Sequence, residues 1–316
     1  MPSASRWTAT DIPDLTGRTA VVTGANIGLG FETARLLAAH GATTVLACRT
    51  VTTADAAAER IRATSTAPVS TIELDLASLA SVRTAAERIR TQHPRLDLLI
   101  NNAGVGMSPE RGTADGFEIH LGTNHLGHFA LTGLLLDRLL ATPGSRVVTV
   151  SSLGHKRGRM HWDDLQLSAP HSLPTAYFQS KLANLLFTYE LQRRLANSGP
   201  IAVAAHPGNA HTAFTRHLRP WQRAIASPRL HLLNGWLLQS AEIGALAAVR
   251  AAVDPALRGG EYVGPPGRLG FTGYPEVVAS SARSHDTADQ QRLWDVSTEL
   301  TGVRYEFDAH RLPLPG

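Results

Sequence analysis

The chain has 316 residues, 43% of them hydrophobic and 18% charged, an ordinary composition for a soluble globule able to bury a sizeable core. Its net charge of +4 comes without a Lys/Arg run or an aromatic-interleaved basic patch, which argues against nucleic acid as a partner. Cys48 is the single cysteine, so an intrachain disulfide and a thiolate metal cluster are excluded.

Residues 1–17 are polar and read as a leader strapped onto the domain. Met1 to Leu15 lacks a basic region followed by an apolar core, and no run of about 20 uninterrupted apolar residues occurs. A cytoplasmic protein without an integral membrane span is expected. Thr19 to Thr23 is a short apolar run of the kind a buried parallel strand shows. It flows into Gly24-Ala25-Asn26-Ile27-Gly28-Leu29-Gly30, and Phe31 to His40 follows with helical spacing up to Gly41. Strand, glycine turn and helix in this order suggest a dinucleotide loop, with backbone close to a pyrophosphate at a helix N-terminus. The alternative is a plain tight turn.

Thr43 to Cys48 reads as the second strand, ending at Arg49. Dinucleotide folds read the adenosine ribose near this point. An acid there would accept from a free 2′-hydroxyl, whereas Arg49 suits a 2′-phosphate; a solvated surface arginine is the other reading. NADP(H) is therefore preferred, with NAD(H) possible. Helical patterns over 54–63 and Leu79 to Arg90 alternate with strand patterns over Val69 to Leu74 and Leu96 to Ile100. This cadence predicts an α/β fold, a Rossmann-type doubly wound parallel sheet of about seven strands flanked by helices. Gly24, Asp75, Asn102 and Ser152 all fall on strand ends and should converge.

Phe117 to Leu140 reads as one long helix, with Asn124 in an apolar neighbourhood. A buried amide needs partners, so Asn124 either bonds backbone or holds a water. His120, His125 and His128 lie near it; without a carboxylate motif beside them, solvated or core-edge histidines are favoured over a metal site. Arg146 to Val150 is the fifth strand and delivers Ser151-Ser152. Gly154 to Thr175 is a long polar loop, a pocket wall or cofactor-side flap. Tyr177 and Lys181 then sit one helical turn apart on one face. Only Lys156 and Lys181 are lysine among 30 basic residues, which makes the lysine at 181 stand out from the background. An ammonium there pulls a phenol's pKa of about 10 towards the working range, and the Ser152 hydroxyl could grip the oxygen whose proton Tyr177 moves. Ile201 to Ala205 is the sixth strand, with Thr212 beyond it placed to bond a cofactor amide.

From Ala213 to Ala241 the pattern loosens around Trp221, Trp236 and several leucines. Core packing is the usual meaning, but a substrate lid over about 209–241, at the strand ends, is favoured over a subunit or membrane contact. Ala245 to Val253 is a helix and Glu261 to Val263 a short strand. The C-terminal extension, 274–316, carries a helix around Asp286 to Leu300. Without internal repeats or a flexible linker, residues 1–316 count as one domain.

Taken together, Thr23-Gly24-x-x-x-Gly28-x-Gly30, Asn101-Asn102-Ala103-Gly104, Asn124, Ser152, Tyr177-x-x-x-Lys181 and Pro207-Gly208 resemble the short-chain dehydrogenases/reductases over residues 17–212. Ala47-Cys48-Arg49 and Ser180-Lys181-Leu182-Ala183-Asn184 are similar to the retinol-dehydrogenase-like and WW-domain-oxidoreductase-like branch, and Ser280 to Ser284 to bacterial, actinomycete-type members. The resemblance implies that Tyr177 is the general acid/base and that Lys181 lowers its pKa and binds the nicotinamide ribose. It implies that Ser152 polarises the substrate oxygen and that Asn124 holds a relay water. Gly24, Asn26, Ile27, Gly28 and Gly30 would form the pyrophosphate turn, Asp75 and Leu76 flank adenine, Asn102, Ala103 and Gly104 line the cleft, and Thr212 touch the carboxamide. Where NADP-preferring members carry a basic residue in the glycine turn, this chain has Asn26, so the NADP argument rests on Arg49.

Three functions are compatible with these residues. The first is an NADP-dependent oxidoreductase interconverting a ketone or aldehyde and its alcohol on a largely apolar small molecule, with a homo-oligomer possible. The second is an enzyme of biosynthesis or secondary metabolism without net redox, a dehydratase, epimerase or cyclase. The third is a non-catalytic NADP-binding protein, which has no need of a perturbed phenol.

Overall fold

In a computed structural model of the protein, residues 6–106, 108, 112–196, 198–209, 239–267 and 269–307 are described. One sheet organises them. Its strands are β1 (Thr19–Thr23), β2 (Thr43–Cys48), β3 (Val69–Glu73), β4 (Leu98–Asn101), β5 (Arg146–Val150), β6 (Ile201–Ala205), β7 (Tyr262–Gly264) and β8 (Glu276–Val277). They lie in the order β3-β2-β1-β4-β5-β6-β7-β8. All pairs are parallel except β7 with β8. The eighth strand, two exposed residues long, is an edge that periodicity has no length to reveal.

Both faces of the sheet are buried, which is why the strands read as continuous apolar runs rather than alternating ones. Along β1, Ala20 and Val22 enter one core and Val21 the other. The first core is shared with α1 (Gly28–Ala39), α2 (Val51–Arg62) and α8 (Ala241–Val253). The second is shared with α3 (Leu79–Gln92), α5 (Gly127–Leu134), α7 (Leu173–Leu195) and α9 (Thr287–Thr301). After β3 the chain crosses back to place β4 on the other side of β1. That reversal opens a crevice at the carboxyl ends of β1 and β4, where doubly wound sheets bind ligands.

The helix expected over 117–140 is broken. A turn α4 (Ile119–Leu121) leads into a π-helical segment, Gly122–Leu126, followed by α5 and by α6 (Leu136–Leu140). Apolar spacing continues through the break, so periodicity does not show it. Within the C-terminal extension, α9 is part of the core, because its Trp294 packs against Phe129, Phe187 and Tyr305. Most of the segment expected as a lid, 209–241, and Thr212 with it, lies outside the described residues. Among the described residues no helix is long and apolar enough to cross a membrane.

Candidate active site

The glycine turn between β1 and α1 has the conformation a dinucleotide loop needs. Gly24 and Gly28 have φ of +65° and +59°, values that glycine adopts without strain. At Gly30 the limit is space: a Cβ would overlap the Gly24 carbonyl and come within 2.5 Å of Asn102 Nδ2. Ile27 caps α1 without a side-chain hydrogen bond, which leaves amide N–H groups and the positive end of the helix dipole for an anion. These features fit a pyrophosphate. Leu29 and Thr33 of α1 line a small cavity with Asn102, Val150, Ala205 and Ala245. The Thr33 hydroxyl there is buried without a partner.

Neighbouring strand ends hold the turn in place. The Cys48 sulfur accepts from the amides of Ala25 and Asn26, while burial pushes its thiol up to about 11. Asn26 donates to Thr53 Oγ1 at 3.0 Å, tying the turn to the start of α2. Arg49 is exposed at the end of β2, and among the described residues no carboxylate pairs with it. Asp75 accepts from the Ala77 amide at 2.9 Å and shapes the loop after β3. Leu76 is buried against Gly127, where any Cβ would strike its carbonyl. Asn102 faces β1: its Nδ2 donates to the Thr23 carbonyl at 2.8 Å. The amides of Asn102 and Ala103 donate to Thr23 Oγ1 at 3.0 and 2.9 Å.

The hydroxyl, phenol and ammonium expected from the sequence meet at the end of β5, against α7 (Leu173–Leu195). Ser172 caps α7 by accepting from the Thr175 amide, and Pro174 pre-sets the first turn. One turn in, the Tyr177 phenol lies close enough to the Ser152 hydroxyl for it to favour the phenolate. Lys181 Nζ lies 5.9 Å from the Tyr177 ring centroid and donates to the Val150 carbonyl at 3.1 Å. Burial raises the Tyr177 pKa above its ordinary value, with the Ser152 hydroxyl opposing it. This direction corrects the expectation that the ammonium lowers it: desolvation of the phenolate is the larger effect here. The same burial lowers Lys181 to about 8.

Asn124 sits in the π segment, a helix irregularity found often at functional sites. Its Oδ1 accepts from the Val105 amide at 2.7 Å, and its Nδ2 donates to the Val105 carbonyl at 3.0 Å and to Ser180 Oγ at 2.9 Å. These include the backbone bonds expected of a buried amide. The same side chain is why Gly104 is a glycine, since a Cβ would stand 2.9 Å from Asn124 Oδ1. The three histidines nearby are buried, correcting the expectation that they are solvated or at the core's edge. Each has its own partner: His120 with Glu118, His125 with Ser297, His128 with Thr23 and the Asn124 carbonyl. Among the described residues no group of three or more candidate ligands could hold a metal ion.

Sequence reasoning missed His155, whose Nδ1 donates to the Ser152 carbonyl at 2.6 Å and whose Nε2 accepts from the Ser281 amide at 3.1 Å. It pins the Ser152 loop to the C-terminal segment. A histidine three residues after the paired serines was the available signal, but its second partner is 126 residues away.

Comparison with known proteins agrees with this geometry. The short chain dehydrogenase family model matches residues 18–223. Human retinol dehydrogenase 12 is 43% identical over 300 residues, covering 92% of this chain and 89% of its own. Among solved structures, an uncharacterized protein from Mycobacterium paratuberculosis is 43% identical with a TM-score of 0.79, covering 96% of this chain and 100% of that one. The Pseudomonas aeruginosa RhlG/NADP active-site complex is 25% identical with a TM-score of 0.63, covering 79% and 94%. The fold therefore binds NAD(P), and the chain belongs to the short-chain dehydrogenase/reductase family, with relatives of the retinol dehydrogenase type, as a dehydrogenase acting on CH–OH and C=O groups.

Proposed function

We propose that the protein is an NADP(H)-dependent oxidoreductase that interconverts a ketone or aldehyde with its alcohol on a largely apolar substrate. The observation that carries this reading is the convergence of the Ser152 hydroxyl, the Tyr177 phenol and the Lys181 ammonium, whose Nζ lies 5.9 Å from the Tyr177 ring and bonds the Val150 carbonyl just before Ser151-Ser152. A bound nicotinamide supplies the hydride in reduction and takes it in oxidation. The chain's own residues manage the oxygen. Ser152 bonds the substrate oxygen and Tyr177 gives its proton to that oxygen as the C=O becomes C–OH. Burial raises the phenol's pKa further above its ordinary value, so Tyr177 holds the proton it would donate to the substrate oxygen. Lys181 then stands next to the phenolate and favours it electrostatically, while Asn124 fixes α7 to the loop after β4.

Arg49 and the Asn26–Thr53 bond support the cofactor preference. Arg49 offers a guanidinium fork at the end of β2, where the ribose is read, and Asn26 brings the turn against the N-terminus of α2. The RhlG neighbour, a complex with NADP, points the same way. An apolar substrate is favoured by the human relative, named for retinol, and by the aromatic ring of Phe178 beside Tyr177 and Gly154. We assign the lid to about 209–241 on its position after β6.

The test is an initial-rate survey of apolar aldehydes, ketones and alcohols, following nicotinamide absorbance with NADPH and NADH in parallel. Faster turnover with NADPH is expected. Product formation with unchanged nicotinamide absorbance would replace this reading with the non-redox one.

A further inference from the structure

The chemistry above makes no use of His128, although both nitrogens of this buried ring are bonded. Nδ1 lies 3.0 Å from the carbonyl oxygen of Asn124, one turn back on the same helix. Nε2 lies 2.9 Å from Thr23 Oγ1, 105 residues away in sequence. A carbonyl can only accept, so Nδ1 carries the proton. In a neutral ring Nε2 must then accept, and the Thr23 hydroxyl donates. Burial, with the Lys181 ammonium adding to it, holds the ring's pKa down to about 4, so the neutral form is the one present.

Each end of this bridge continues into a part of the site. At one end, Thr23 closes β1 and its Oγ1 accepts the amides of Asn102 and Ala103, which positions both walls of the crevice beside the glycine turn. At the other, the Asn124 side chain bonds Val105 and Ser180. Ser180 Oγ in turn donates to the Tyr177 carbonyl at 2.8 Å. The path Thr23, His128, Asn124, Ser180 and Tyr177 is hydrogen-bonded throughout, and Thr23, His128, Asn124 and Ser180 are each 0–1% exposed.

The bond to the Asn124 carbonyl places the ring against the π segment. Its widened turn disturbs the i→i−4 ladder, and the Asn124 carbonyl within it accepts from the His128 ring four residues on. A phenylalanine would offer a planar apolar ring, somewhat larger, in the same place, so an apolar core position as such does not call for an imidazole.

We propose that His128 is a positioning residue that ties the dinucleotide-binding ends of β1 and β4 to the catalytic helix, setting Tyr177 and Lys181 in register with the cofactor. This inference rests on the oxidoreductase reading given above.

His128→Phe removes both bonds and leaves a planar, somewhat larger ring. His128→Asn keeps a donor where Nδ1 stands, and so can restore the bond to the Asn124 carbonyl. With a substrate turned over by the unmodified protein, His128→Phe is expected to lower kcat about 10- to 100-fold. Its NADPH dissociation constant, read by fluorescence titration, should stay within about 3-fold. His128→Asn should recover most of the lost kcat. Amide hydrogen exchange over 102–105 should quicken in the Phe variant and slow again in the Asn variant.

Unchanged kcat in His128→Phe would overturn the proposal. So would equal losses of kcat and Tm in both variants, the result expected from packing alone. Should the unmodified protein turn over no carbonyl or alcohol substrate, the oxidoreductase reading fails. The exchange rates over 102–105 then decide the coupling separately: unchanged rates in His128→Phe would overturn it, and faster rates would uphold the bridge.

Discussion

The Lys181 ammonium and the Asn184 side-chain amide both donate to the Val150 carbonyl, each at 3.1 Å. Two residues of α7 thus grip the last residue of β5, just before Ser151-Ser152, and the helix cannot shift without moving the Ser152 loop. This grip requires a cation that is 5% exposed.

That cation has a cost to the fold. Burial lowers Lys181 to about 8, against about 10.4 in an unfolded chain. Below pH 8 both states hold the proton and the penalty is complete. Between pH 8 and about pH 10 the folded state releases it first, so the unfolded state binds more protons and this group's contribution to stability rises with pH. Lys181→Met should abolish turnover yet raise stability at pH 7 by about 1–3 kcal/mol. That advantage should shrink as pH rises through the window. Thermal unfolding of the two proteins at several pH values checks it, and a variant less stable than the parent at pH 7 would contradict it.

Gly30 and Gly28 should respond differently to alanine. At Gly30 the new Cβ meets the Gly24 carbonyl and Asn102 Nδ2, so the turn must open and dinucleotide binding should fall more than about 100-fold. At Gly28 no atom lies within 4 Å of the Cβ position. Only the positive φ is strained, by about 1–2 kcal/mol. Cofactor titration of Gly28→Ala and Gly30→Ala should rank them in that order.

Arg49→Asp should reverse the cofactor preference. An acid at the end of β2 repels a 2′-phosphate and accepts from a free 2′-hydroxyl. NADPH affinity should fall at least about 10-fold, with NADH affinity unchanged or improved. Paired dissociation constants decide it, and equal losses for both cofactors would assign Arg49 to the solvated surface.

Trp294 tests whether the C-terminal extension belongs to the core. Its ring lies with centroids 5.2 Å from Phe129, 6.0 Å from Phe187 and 4.5 Å from Tyr305. Trp294→Ala should cost about 3–5 kcal/mol in denaturant unfolding and leave kcat near the parent value well below the new midpoint. An unchanged midpoint would show that α9 adds nothing to the fold.

The features legible in the sequence were those set by local spacing. The glycine turn, the Tyr177–Lys181 pair and the strand–helix cadence each occupy one continuous stretch, so chain order and periodicity suffice to place them. The site's internal wiring was not legible. Thr23 and His128 are 105 residues apart, and only the packing of α5 against the sheet makes them neighbours. The π segment at Asn124 stayed hidden because one inserted residue barely disturbs an apolar pattern. The sign of the Tyr177 shift was misjudged because an ammonium one turn away is visible in a sequence and desolvation is not.

The central claim is that Tyr177 moves the proton while the rest of the site holds cofactor and substrate. Steady-state turnover and NADPH titration of Tyr177→Phe test it most directly. The account predicts a fall in kcat of about 10²–10⁴ with an NADPH dissociation constant close to that of the parent. Turnover retained in the Phe variant, with the cofactor still bound, would contradict it.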